Sequence, residues 1–269
     1  MNTARITMLG TGSATVTRCY NTCFTISTPT NIMLTDAGGG NGILSQLQRA
    51  GTAPAQIDYM FLTHAHTDHV LGAVWMVRMA AIDWRKGKRT TPLRIFGHDR
   101  VLNVLLSVCR LTLAAKDTKL IGSAIEMHEV TDGDTFKAGD IDMRCFDICS
   151  TKEKQFGYRA TLPDSTVIVC LGDEPFNERN RELATGADWL MSEAFCLYED
   201  RERYKPYEKH HSTALEAGRT AASLGARSLI IYHTEDNSLS TRKQRYAEEA
   251  AKEFGGRIIV PDDLEVIEL

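Results

Sequence analysis

Nothing in the 269 residues is apolar for long enough to cross a bilayer, which takes about 20 consecutive apolar residues. The opening Met1-Asn-Thr-Ala-Arg-Ile-Thr lacks a charged start followed by an apolar stretch, so no signal peptide is expected. Positive charge is not in excess either: 31 Lys and Arg stand against 35 Asp and Glu, a net charge of −4. That balance excludes a global field that would draw the protein to nucleic acid. The one local basic run, Arg85-Lys-Gly-Lys-Arg89, reads as a solvated loop. The seven cysteines (19, 23, 109, 145, 149, 170, 196) are odd in number and scattered. A disulfide framework is therefore not expected, and reduced thiols in a cytoplasmic setting are. No Pro/Gly/Ser-rich linker and no repeat of fixed period breaks the chain, so residues 1–269 are expected to form a single compact domain. Hydrophobic content of 43% supplies ample core for it.

What is present is a succession of short β-branched or apolar runs with helical stretches between them. The pattern predicts early strands over 6–9, 22–26, 32–35 and 59–62, punctuated by Gly, Asn and Pro turns. Helical spacing is read over 42–50, 70–81 and 99–112, with a short strand at 93–96. Strands return over 125–130, 141–148, 157–161 and 167–171, followed by a short helix around 182–184 and a strand at 189–193. A helix over 212–224 has Ser212 or Thr213 as its cap and Glu216 near its first turn. A buried-type strand over 228–232, a helix over 241–254 ended by Gly255-Gly256, and two short strands complete the order. Strand blocks mixed with βαβ-like crossovers predict α/β or α+β layers rather than an all-parallel sheet.

One stretch dominates the chemistry. Phe61-Leu-Thr-His-Ala-His-Thr-Asp-His-Val70 places three histidines and an aspartate in six positions behind an apolar run. Imidazole and carboxylate are ligands that divalent zinc, iron and manganese accept. Burying such a group unpaired would cost several kcal/mol. His64 and His66, two apart at a strand end, can point the same way. Asp68 and His69, where the chain turns into a helix, can face a second ion close to the first. Two such ions would share a water and depress its pKa, supplying a metal-bound hydroxide without any serine or cysteine nucleophile.

His64-Ala-His66-Thr-Asp68-His69 resembles the HxHxDH signature of the metallo-β-lactamase fold. The resemblance implies a four-layer αβ/βα sandwich with a binuclear metal site at one edge of its two sheets. By the same comparison Asp36 in Leu34-Thr-Asp-Ala-Gly38 supports the metal-binding loop from behind, Asp173 bridges, and His233 is the last histidine ligand. One ion would be held by Asp68, His69, Asp173 and His233, and the other by His64, His66, Asp173 and one more histidine. Within the superfamily, Met8-Leu-Gly-Thr-Gly-Ser-Ala14 and Lys209-His-His-Ser-Thr213 are similar to the ribonuclease Z branch. Gly10, Gly12 and Ser13 would then form a tight loop near the site. His211 would protonate the leaving group and Glu193 would orient it, with Asp68 the third catalytic residue. Zinc is the default metal, two ions or one, and manganese or iron fits the same ligands.

The chain departs from that pattern in two places. The missing histidine is expected near Cys149, ahead of Gly157-Tyr158. Three readings compete there: a thiolate ligand for zinc, a weak first site with one working ion, or an impaired site in a metal-containing sensor. A cysteine packed as a small hydrophobe is the plain alternative. The ribonuclease Z branch that matures tRNA also carries a long flexible arm, for which the segments 149–173 and 173–193 are too short. The resemblance therefore implies a metal-dependent hydrolase of a phosphodiester or related ester, and the missing arm argues against tRNA. Small-molecule lactones, thioesters and cyclic nucleotides remain as alternative substrates, with no membrane partner and a homodimer left open. A redox role is disfavoured because His66 stands where diiron members carry Glu.

Overall fold

The structure is a computed structural model that describes residues 3–269. Its first half runs β1 (Arg5–Gly10), β2 (Cys23–Ser27), β3 (Ile32–Thr35), α1 (Gly42–Arg49), β4 (Tyr59–Leu62), α2 (Thr67–Arg85), β5 (Leu93–Gly97), α3 (Asp99–Thr112), α4 (Ala115–Thr118) and β6 (Ile125–Glu129). The second half runs β7 (Thr135–Ala138), β8 (Ile141–Asp147), β9 (Phe156–Thr161), β10 (Val167–Cys170), α5 (Arg181–Ala184), β11 (Trp189–Glu193), α6 (Arg201–Tyr204), α7 (Ala214–Ser223), β12 (Ser228–Tyr232), α8 (Leu239–Ala250), β13 (Arg257–Ile259) and β14 (Val266–Glu268). Among the described residues two seven-stranded sheets result, ordered β14-β1-β2-β3-β4-β5-β6 and β13-β12-β11-β10-β9-β8-β7.

Side-chain alternation sets the layers. In β4, Phe61 joins a core shared by both sheets, while Met60 and Leu62 join one with α1, α2 and α3. In β12, Ile230 faces the shared core, and Leu229 and Ile231 pack with α7 and α8. Strands buried on both faces read as continuous apolar runs, and each such side chain contributes about 1.5–3 kcal/mol by leaving water. The result is the helix–sheet–sheet–helix sandwich, an α/β fold of mixed parallel and antiparallel pairing.

Direction along the strands positions the site. β3, β4, β5 and β6 pair in parallel, as do β10, β11, β12 and β13. Asp36 follows β3, His64 follows β4, Asp173 follows β10, Glu193 ends β11 and His233 follows β12. All five stand at carboxyl ends of strands, where open α/β sheets place their ligands. Those ends meet: Phe156 N donates to Thr63 O at 3.0 Å, and Ser13 N to Thr234 O at 2.9 Å.

Several elements differ from the sequence reading. The helix expected over 70–81 begins at Thr67 and runs to Arg85, so Asp68 and His69 sit in its first turn. A helix N-terminus favours the negative charge of Asp68, an effect that apolar periodicity does not register. The helix expected over 241–254 begins earlier, at Leu239, and ends earlier, at Ala250. α4 and β7 were not anticipated, the first being only four residues long and the second carrying a single large apolar residue, Phe136. The basic run is no solvated loop at its end: Arg89 is buried, donating to Asp58 Oδ1 at 2.7 Å and to the carbonyl oxygens of Pro54 and Ile57. At α7, Thr213 is the cap, its backbone N donating to Glu216 Oε2 at 2.9 Å.

Backbone contact locks α2 to the loop after β3. Gly72 N donates to Gly38 O at 2.8 Å, and a Cβ on Gly72 would lie 1.8 Å from Ala37 O. Gly72→Ala must push the helix off the Asp36 loop, at a cost of about 1–3 kcal/mol or more. Urea denaturation should show the midpoint falling accordingly, and an unchanged midpoint would contradict this packing.

Candidate metal centre

The centre is built outward from Asp36. Its backbone is left-handed, φ 53°, and its N–H donates to Phe61 O at 2.9 Å. One carboxylate oxygen accepts from Thr63 N at 2.9 Å. The other accepts from Thr63 Oγ1 at 2.7 Å and from His69 Nδ1 at 2.8 Å. A carboxylate at neutral pH only accepts, so His69 Nδ1 carries a proton and Nε2 is the nitrogen left to face the site. That Nε2 is buried with no hydrogen-bond partner. It faces Asp68 Oδ2 at 3.3 Å and Asp173 Oδ2 at 3.5 Å. A carboxylate behind a histidine with a free, buried nitrogen in front is the arrangement of a metal-ligating imidazole.

Two groups of donors surround that point. His64, His66 and Asp173 form one, and Asp68, His69 and His233 the other, each with its donor atoms within 4.8 Å of one another. His64 Nε2 lies 2.8 Å from His66 Nδ1. Asp173 Oδ2 stands 3.5 Å from His64 Nε2, 3.5 Å from His69 Nε2 and 3.6 Å from His233 Nε2, so one oxygen faces both groups. The chemistry of this donor set fits borderline divalent cations.

Electrostatics prepare the same state. Burial alone would raise Asp173, but His64, His233 and His69 hold it well below the usual carboxylate range. Asp68 is likewise lowered, burial being outweighed chiefly by His69. Burial lowers His64 strongly and His233 to about 3, leaving both rings neutral. His69 is raised, because Asp68 and Asp36 outweigh its burial. Two carboxylates favour positive charge at that ring, a preference that a divalent cation satisfies. Anionic carboxylate and neutral imidazole are the forms that bind metal.

Beside the metal groups stands a histidine–carboxylate pair. His211 Nδ1 lies 3.6 Å from Glu193 Oε2, and Glu193 Oε1 accepts from Ser212 N at 2.6 Å. Burial works against the His211 imidazolium, yet Glu193 and then Asp173 raise its pKa. The ring stacks on Phe195 at 5.2 Å and approaches His233 at 5.3 Å. A cleft of about 560 Å³ opens over these groups, lined among others by Ser13, Lys152, Phe195 and Lys209.

Of the seven metal positions read from the sequence, six gather here and Cys149 stands apart. Its φ is 62°, and its thiol turns to its neighbour's carbonyl, Asp147 O, at 3.6 Å. The turn is set by Cys149 N donating to Asp147 Oδ1 at 2.7 Å. Sequence reasoning missed Gln155, whose amide reaches both His64 and Asp173. Only the spatial arrangement reveals it, since glutamine carries no metal signal in a sequence. Left-handed non-glycine residues gather at this edge (Asp36, Cys149, His210, His233). Such conformations persist where surroundings over-determine them, often at functional sites.

Comparison with known proteins agrees with this geometry. The model of one protein family, described as anti-Pycsar protein Apyc1, matches residues 4–247. Ribonuclease Z of Mycobacterium marinum (strain ATCC BAA-535 / M) is 26% identical over 295 aligned residues, covering 98% of each chain. The metallo-β-lactamase fold protein YhfI from Bacillus subtilis superposes with a TM-score of 0.79 at 21% identity, over 99% of this chain and 100% of that one. Human tRNase Z, short form, superposes at 0.73 with 18% identity and 98% coverage of both.

Removal of bound metal should destabilise the fold, because it leaves a buried cluster of donors unpartnered. Free metal at 100 times its dissociation constant adds about 2.7 kcal/mol. Dialysis against a chelator is expected to lower the melting temperature, and re-addition of Zn²⁺ to restore it. A melting temperature indifferent to both would contradict the centre.

Proposed function

The chain belongs to the family described as anti-Pycsar protein Apyc1 and carries the ribonuclease Z-like form of the metallo-β-lactamase fold. From that premise we propose that this metal-dependent phosphodiester hydrolase acts on a small substrate of the cyclic-nucleotide class rather than on tRNA. The observation that carries the reading is the single cleft in which Asp173 faces both donor groups while His211 and Glu193 stand beside it. Its volume, about 560 Å³, falls in the small-ligand range of roughly 300–1,000 Å³. The connection between β9 and β10 supports the small substrate, being a tight turn in which Leu162 N donates to Thr166 O at 2.9 Å. It leaves no room there for an RNA-gripping arm.

His64, His66 and Asp173 would hold one ion and Asp68, His69, Asp173 and His233 the other, with zinc the proposed metal. Bound there, such ions acidify water and neutralise phosphoryl charge. The protein's own groups complete the reaction. Lys152 and Lys209 line the cleft and offer ammonium groups to non-bridging phosphate oxygens. Asp68, kept anionic beside His69, is placed to accept a proton from the attacking water. His211, its imidazolium favoured by Glu193, donates a proton to the leaving oxygen. Glu193 cannot rotate away freely, since Ser212 N holds its other oxygen.

Turnover of a cyclic mononucleotide to the linear monophosphate, without cleavage of a tRNA precursor, is the expected outcome of a substrate panel. Cleavage of the RNA with the cyclic compound untouched would contradict the reading. His211→Ala should lower kcat by about 10²–10⁴ while metal content stays unchanged. The loss should shrink for bis(p-nitrophenyl) phosphate, whose leaving group departs without a proton. An equal loss on both substrates would remove His211 from the role of acid.

A further inference from the structure

The two donor groups are not equivalent. With Asp173 shared, the group around His69 has three further protein ligands, Asp68, His69 and His233, whereas the other has only His64 and His66. The position where a further donor was expected, Cys149, has its thiol on Asp147 O. Gln155 occupies the ground between instead. It is 1% exposed, and its backbone is fastened on both sides: Ile148 N donates to Gln155 O at 3.0 Å, and the next residue's N–H, that of Phe156, donates to Thr63 O at 3.0 Å. Its amide nitrogen donates to Asp173 Oδ1 and lies 2.7 Å from His64 Nδ1. Its amide oxygen is buried without a hydrogen-bond partner.

From this we infer that Gln155 replaces a metal ligand by a clamp, holding His64 and Asp173 in place without ligating, so that the two metal sites bind with unequal affinity. The inference rests on the metal-dependent reading above. The amide takes Asp173 Oδ1 and thereby directs Oδ2, alone, toward the histidines of both groups. Together with Thr63 Oγ1, 2.9 Å from the same nitrogen, it closes off the Nδ1 side of His64, leaving Nε2 to face His66 and Asp173. The site of His64 and His66 thus keeps an open position for water or substrate, as catalytic sites with three protein ligands do. The site of His69 is the more fully ligated and fills first. Gln155 is a positioning residue on this account, and its effect falls mainly on the site of His64 and His66, because Asp173 is one of four ligands at the other.

Titration of the metal-free full chain with Co²⁺ or Zn²⁺, followed by calorimetry and by the Co²⁺ visible spectrum, tests this. The wild type should take up two ions in two resolved steps. Gln155→Leu, nearly the same size but without hydrogen bonds, should weaken the second step about 10–100-fold, as loss of partners behind metal ligands does. The first step should weaken by much less than the second, since Asp68, His69 and His233 still hold that ion. Cys149→Ser should change neither step. Two equal steps in the wild type, an unaltered second step in Gln155→Leu, or loss of the second ion in Cys149→Ser would each overturn the inference. A wild type that binds no metal at all would instead defeat the hydrolase reading on which it rests. Should Gln155→Leu fail to fold, Gln155→Glu substitutes for it. The added negative charge then has to tighten the second step, and an unchanged step overturns the inference.

Discussion

Three hydrogen bonds onto one buried carboxylate organise this protein. Asp36 accepts from Thr63 N, Thr63 Oγ1 and His69 Nδ1, and so ties the ends of β3 and β4 to the first turn of α2. Remove that carboxylate and nothing fixes which nitrogen of His69 carries the proton. With it, Nε2 is the nitrogen turned toward Asp68 and Asp173. The left-handed backbone at Asp36 and the close approach of Gly72 to Ala37 are the local strain and crowding needed to bring the three elements so near.

From that fixed corner the second sheet supplies what the first cannot. Asp173, Glu193 and His233 come from the carboxyl ends of β10, β11 and β12, and the bonds between Phe156 and Thr63 and between Ser13 and Thr234 hold the two sheet edges in register. The two donor groups therefore straddle the sandwich, while His211, the proposed acid, enters from the loop ahead of α7. Chemistry and folding are coupled here: burial that disfavours charge on His64 and His233 is the same burial that makes an unfilled centre unfavourable. Unequal ligation of the two sites follows from two features: the thiol of Cys149, where a donor was expected, turns to Asp147 O, and the Gln155 amide clamps His64 and Asp173 without ligating.

Much of this was legible in the sequence because metal chemistry is written in rare residue types. Three histidines and an aspartate within six positions have no packing explanation, and Asp36, Asp173 and His233 could be assigned by resemblance to a family pattern around them. The strands of both sheets, β7 apart, were recoverable from their short apolar runs. The start of α2 was not, since its first turn carries Asp68 and His69 rather than an apolar stripe. α4 escaped because four residues hold too little helical periodicity, and β7 because Phe136 is its one large apolar residue. Gln155 lies 91 residues from His64 and 18 from Asp173, so its role exists only after folding. Cys149 illustrates the converse: its position along the strand suggested a donor, but a hydrogen bond from its own N–H to Asp147 turns the backbone and takes the thiol elsewhere.

The central claim is a binuclear centre bridged by Asp173. A crystal structure of the metal-loaded protein, with anomalous scattering recorded at the edge of the bound metal, tests it most directly. The account predicts two peaks on either side of Asp173 Oδ2, one against His64 and His66 and the other against Asp68, His69 and His233. A lone peak that Asp173 does not touch, or none at all, would contradict it.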